Sequence, residues 1–186
     1  MKGVVFNLLE VVFTRAHGAD AWDDLLYAAK VGGAYTSLGN YDDAELEALV
    51  ACTASSLSLT REQVLRWFGR EAIPVLAELY PDLFRHASAR PFVSGVNDVI
   101  HAGVRKLYPG AACPHFGIRE TPDGRMAINY HSERRMCALA EGFIQGAADW
   151  WCEEVEVEHI ACIDRGDRGC EFQLNWVQGA KNADAA

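Results

Sequence analysis

Positive charge is scarce in this chain of 186 residues: Lys and Arg number 17 against 26 Asp and Glu, a formal net charge of −9 at neutral pH. A surface of that sign repels phosphate backbones and anionic lipid, which argues against nucleic acid and membranes as partners. Long hydrophobic runs are missing too. The opening MKGVVFNLLEVVFTRAHG is interrupted by Asn7 and Glu10 and precedes no small-residue cleavage site, so neither a membrane span nor a secretory signal is indicated. Internal repeats, a phosphate-cradling glycine loop, a Ser-His-Asp order and a pair of acid/base carboxylates are all lacking, so enzyme chemistry is not visible. The expected location is the cytoplasm. Six cysteines in a reducing compartment are then buried, metal-bound or reactive thiols rather than a disulfide framework.

What is there is an ordinary globular composition, 50% hydrophobic and 23% charged. A chain of this length can bury roughly 70% of the surface it exposes when unfolded, so no staple is obligatory. Residues 1 to about 109 read as helical. Val4, Val5, Leu8, Leu9, Val12 and Phe13 recur at helical spacing. Asp20 is placed to cap a second helix stopped by Gly32-Gly33, and a third starts near Asp42. Thr60 with Gln63 resembles a capping box opening a long helix with Pro74 as an expected kink. A further helix, about Val93 to Tyr108, ends at Pro109-Gly110. From residue 115 the period changes: HFGIRE and RMAINYHS flank a Thr-Pro-Asp-Gly turn, Arg135 to Trp151 reverts to helix, and EVEVEHIAC and CEFQLNW alternate as strands. This is an α+β plan: a helical N-terminal part, then a small antiparallel sheet crossed by one helix. The last ten residues, 177–186, lack an apolar period and read as a flexible tail.

Three groups of residues carry chemistry. His159-x-x-Cys162-x7-Cys170, with Cys137 upstream, has the residue types and the short-spaced pair of a four-ligand zinc site, which could contribute about 10 kcal/mol to folding. Three buried thiols and a surface histidine would give the same spacing. Cys52, Cys113 and Cys152 show no grouping and read as small packing residues. Tyr130-x-Ser132-x-Arg134 would, on an extended chain, point three donors one way and suit a ligand bearing carboxylates, although the polar face of an edge strand looks the same. His101, beside the small Ala102 and Gly103, could serve as an axial haem ligand, or be a partly exposed helical histidine.

Taken together, the opening MKGVVFNLLE, the helix bearing His101, then Pro114 and the Tyr130-x-Ser132-x-Arg134 triad resemble the haem nitric-oxide/oxygen-binding (H-NOX) family, of the stand-alone bacterial type, from Met1 to about Trp176. The resemblance implies a single sensor domain over 1–176, with helices over about 1–60 and a haem-bearing part over about 61–176, and haem b in the cleft between. It implies His101 as the iron ligand, Tyr130, Ser132 and Arg134 on the propionates, and Pro114 pressing on the porphyrin. Cys137, His159, Cys162 and Cys170 are similar to a zinc site of some bacterial members. Oxygen-binding members place a distal Tyr where this chain has Leu139, and Leu9 offers no donor either. Nitric oxide is therefore the expected ligand, carbon monoxide also, and oxygen is excluded. Release of His101 would signal to a separate histidine kinase or cyclic-di-GMP enzyme, since no catalytic domain follows. Beyond the resemblance, helical spacing puts Leu139, Phe143, Gly146 and Trp150 on one face as pocket lining and Cys137 on the other face; Val5 and Leu9 are also expected beside the cofactor.

A second resemblance covers the segment from about Arg135, with Gly142-Phe143, Gly166-Asp167 and Cys170-x-Phe172: a zinc-stabilised small-molecule or tetrapyrrole binding module related to vinyl reductases, without gas sensing. It leaves the opening helices and His101 unexplained.

Overall fold

The apolar residues of the opening segment form α1 (Gly3–His17), which buries Phe6, Leu9, Val12 and Phe13. The computed structural model describes residues 1–108 and 110–177. α2 (Ala19–Ala29) starts after Gly18 without a side-chain cap; Asp20 stands in its first turn, and Lys30 ends it in a left-handed conformation before Gly32 is reached. α3 (Asp43–Leu57) is capped by Asp42, whose carboxylate accepts from the Ala44 N–H. The Thr60–Gln63 capping box is present and opens α4 (Arg61–Leu79), which runs on through Pro74.

The single helix expected over Val93 to Tyr108 is three pieces: α5 (Ala89–Ser94), a π-helical turn over Val96–His101, and α6 (Ala102–Leu107). The wider turn shifts the phase of side chains on either side, and π turns of this kind are frequent at functional sites. Pro109, expected with Gly110 to end that helix, lies outside the described residues, as do residues 178–186 of the expected tail. Val177 belongs to a strand.

The strands β1 (His115–Glu120), β2 (Met126–His131), β3 (Glu154–Ala161) and β4 (Cys170–Val177) form one antiparallel sheet in the order β1-β2-β4-β3. Gly124, at φ 82°, makes the turn between β1 and β2. α7 (Cys137–Trp150) lies between β2 and β3 in sequence and packs along α4. Glycines set that spacing. A Cβ on Gly142 would fall 2.2 Å from the Arg66 carbonyl oxygen, one on Gly146 2.5 Å from that of Arg70, and one on Gly69 2.4 Å from that of Leu139. Two large hydrophobic cores result: Phe6, Leu9, Phe13, Trp22, Leu46, Leu49 and Phe68 among the first helices, and Phe92, Phe116, Ile128, Tyr130, Ile144 and Phe172 about the sheet, with a smaller cluster of Val50, Val64, Leu65 and Ala138. Phe143 packs against both.

Candidate functional site

His101 closes the π turn. Asn97, four residues earlier, pins that turn to β1: its amide nitrogen donates to the Phe116 carbonyl at 2.5 Å and its amide oxygen accepts from the Phe116 N–H at 3.2 Å. The His101 ring lies 5.7 Å from that of Phe116, centroid to centroid, and Phe116 is 5.3 Å from Tyr130. Burial, aided by the Arg105 cation and His115 and opposed by the Pro114 carbonyl, pushes the His101 pKa down to about 4. The imidazole is therefore neutral at physiological pH, and its buried Nδ1 has no hydrogen-bond partner among the described residues. A buried polar atom left unpaired costs free energy unless something not made of protein satisfies it. A metal-bound haem would be such a group, so the residues present fit it.

The triad does not keep the strand period. β2 ends at His131, and the Ser132 hydroxyl accepts from the Arg134 N–H at 3.2 Å, a local turn. Arg135 follows at φ 51°. The i, i+2, i+4 alternation expected of an extended chain therefore stops at Ser132. Tyr130 is 6% exposed; burial, with the Cys137 and Cys170 sulfurs, pushes its pKa up to about 12, against hydrogen bonding from Ser132. Arg134 turns toward the N-terminal helices: its Nε donates to Asp43 Oδ2 at 2.8 Å and Nη1 to the Ala112 carbonyl at 2.7 Å. Pro114 is half-buried between His101 and β1.

Leu9, Val5, Leu139 and Phe143 belong to one hydrophobic cluster, with Leu9 1% exposed. Gly146 and Trp150 do not join them. Gly146 is spent on the close approach of α4, and Trp150 is 44% exposed beside Phe84, because the seam with α4 takes up that face of α7.

Cys137, His159, Cys162 and Cys170 come together as the spacing anticipated: one potential ligand atom from each lies within 4.8 Å of all the others. α7 supplies Cys137, β3 supplies His159, Cys162 directly follows β3, and Cys170 opens β4. Cys137 Sγ and Cys162 Sγ are 3.7 Å apart. That is too far for a disulfide, and close to the edge of about 3.8 Å that a tetrahedron with 2.3 Å metal–sulfur bonds requires. His159 Nε2 is buried without a partner among the described residues. Burial, with the other sulfurs, pushes the Cys137 thiol up, and burial does the same at Cys170. A cation would reverse both shifts. Of the remaining cysteines, Cys52 and Cys113 are half-buried, whereas Cys152 is exposed, at φ 53° just beyond α7, and so is no packing residue.

Three residues of this neighbourhood escaped the sequence: Asn97, Asp43 and Glu141. Each works through a partner 19 to 91 positions away, and no local pattern marks it. Only Asp43, in the Asp42-Asp43 start of α3, stood at a recognisable helix start.

A family model described as haem-NO-binding matches residues 2–159, the opening helices and His101 included. The chain is 30% identical to an H-NOX protein from S. oneidensis whose crystal structure is in the Fe(II)NO ligation state; the match covers 95% of this chain and 99% of that one, with a TM-score of 0.88. An NMR structure of a Shewanella oneidensis H-NOX domain in the Fe(II)CO state is also 30% identical, covering 96% and 99%, with a TM-score of 0.86. The unliganded Fe(II) H-NOX protein from K. algicida, at 22% identity, coverage of 98% and 100% and a TM-score of 0.81, shares the fold.

Proposed function

This chain belongs to the haem-NO-binding family of sensor domains, which are not enzymes, and on that premise we propose that it holds haem b, binds nitric oxide at ferrous iron and excludes oxygen. The observation that carries the reading is His101: a neutral, half-buried imidazole whose Nδ1 is buried and unpartnered, held by a π turn that Asn97 fastens to the sheet. Bound haem would supply the ferrous iron and its open coordination position. His101 would hold the iron, Tyr130, Ser132 and Arg134 the propionates, and Pro114 would bear on the porphyrin. The relatives from S. oneidensis, one with nitric oxide and one with carbon monoxide on iron, support those two gases as ligands.

Selectivity would come from what the far side of the pocket lacks. Val5, Leu9, Leu139 and Phe143 carry no hydrogen-bond donor. Oxygen gains strongly from a donor beside it, nitric oxide much less. Leu139→Tyr supplies one and should raise oxygen affinity about 10–100-fold, the worth of a hydrogen bond to a charged group. Titrating the reduced variant and wild type with oxygen, followed by visible absorption, tests this; equal affinities would remove the selectivity claim.

The same reading gives the cysteine cluster a structural zinc ion, supported by the 3.7 Å sulfur separation and the unpartnered His159 Nε2. Loss of the His101 tether would relax the π turn and pass the signal to a separate protein in the cytoplasm, a histidine kinase or a cyclic-di-GMP enzyme. No helix among the described residues is long and apolar enough to cross a membrane.

A further inference from the structure

Glu141 is the one acidic residue buried among the described residues, at 8% exposure. A carboxylate in that position must be paired to be tolerated. It stands one helical turn after Cys137 on α7, so the two side chains share a face. Its Oε2 accepts from Arg66 Nε on α4 at 2.9 Å, and the same oxygen lies 3.9 Å from His159 Nδ1.

The neighbouring ion pair shows what a link serving only the helices looks like. Arg70 and Asp149 also join α4 to α7, but through two parallel hydrogen bonds, Nε to Oδ2 and Nη2 to Oδ1, between half-exposed side chains. That is the stronger, fork-on-fork arrangement. Arg66 gives Glu141 a single bond, and Glu141 is carried inward, toward the cluster. Gly142 makes this approach possible, because a Cβ there would collide with the Arg66 carbonyl. The histidine is arranged to match. His159 Nε2 is buried and unpartnered, its ring is packed 4.4 Å from that of Phe172, and its other nitrogen faces Glu141 Oε2. A histidine that ligates through one nitrogen donates the other N–H to an acceptor, and a carboxylate is a frequent choice.

We propose that Glu141 is the positioning residue of the metal site: it accepts the Nδ1–H of His159, fixes the tautomer that leaves Nε2 for the ion, and is itself held by Arg66. The 3.9 Å separation must close by about 1 Å for that hydrogen bond to form. The Ala161 carbonyl, which also favours a protonated ring nitrogen, is the competing acceptor. This inference rests on the zinc reading above.

The experiment measures zinc affinity of the haem-loaded protein, by competition between added zinc chloride and a chromogenic chelator, for wild type, Glu141→Met, Glu141→Gln and Asp149→Asn. Glu141→Met keeps the length of the side chain and removes the acceptor; zinc affinity should fall about 10–100-fold. Glu141→Gln retains an acceptor oxygen and should recover most of that loss. Asp149→Asn weakens the other link between α4 and α7 and should leave zinc affinity where it was. Wild-type affinity in Glu141→Met, or an equal loss in Asp149→Asn, overturns the positioning role while the zinc site stands. A wild-type protein that takes up no zinc overturns both.

Discussion

At Asp43 one carboxylate accepts from two cations: the Met1 ammonium through Oδ1 and Arg134 Nε through Oδ2. Burial works to raise its pKa, and these partners together hold it below the usual carboxylate range. A folded-state pKa below the unfolded one adds stability that is present above the carboxylate range and disappears as pH falls through it. Asp43→Asn should therefore cost about 1 kcal/mol or less at neutral pH, given the exposure of the pair. Urea unfolding at pH 7 and in strong acid checks this: the gap to wild type should close in acid, and a gap that persists would assign the effect to packing. His101→Gly should instead abolish tight haem retention and leave the folded chain intact, read as the ratio of haem absorption to protein after gel filtration. Of the four clustered Cys and His residues, His159, Cys162 and Cys170 were legible in the sequence because residue type and short spacing mark them, whereas Cys137 is remote and His101 and Tyr130 stood out through the family resemblance. Asp43, Asn97 and Glu141 were not legible, since their roles are defined only by contacts across the fold.

Among the elements, the seam between α4 and α7 is set by backbone contact. Gly142→Ala gains about 1 kcal/mol of helix propensity but drives a Cβ against the Arg66 carbonyl, where no flexible side chain can yield. Overpacking of that kind costs typically 1–3 kcal/mol, so the variant should be less stable than wild type by denaturant titration; a more stable variant would contradict the contact. The first four helices were readable from apolar period and capping, as Asp42 and the Thr60–Gln63 box show. The π turn before His101 was not, because one extra residue per turn leaves the apolar pattern of a short segment unchanged. The turn at Ser132 was hidden similarly: the sequence continues to alternate after the backbone has left the strand.

Across the whole molecule, the two larger cores meet where Phe143 packs against both, and α4 contributes Phe68 to one and Ile73 to the other. His101 and the triad's Tyr130 stand on the sheet side, Leu9 and Asp43 on the side of the first helices, with Arg134 reaching across. A group held between them would sense, and alter, the relation of the two halves. A ligand can drive such a change only by its differential affinity for the two states. The α+β plan was legible from composition and periodicity; the strand order β1-β2-β4-β3 was not, because hairpin signals fix neighbours in sequence but not the pairing of β2 with β4. The most direct test of the gas-sensing account is the visible spectrum of the reduced, haem-loaded protein, recorded anaerobically, then in air, then with nitric oxide. A five-coordinate ferrous spectrum that air leaves unchanged and nitric oxide shifts is the predicted result; a stable oxygen-bound spectrum in air would contradict it.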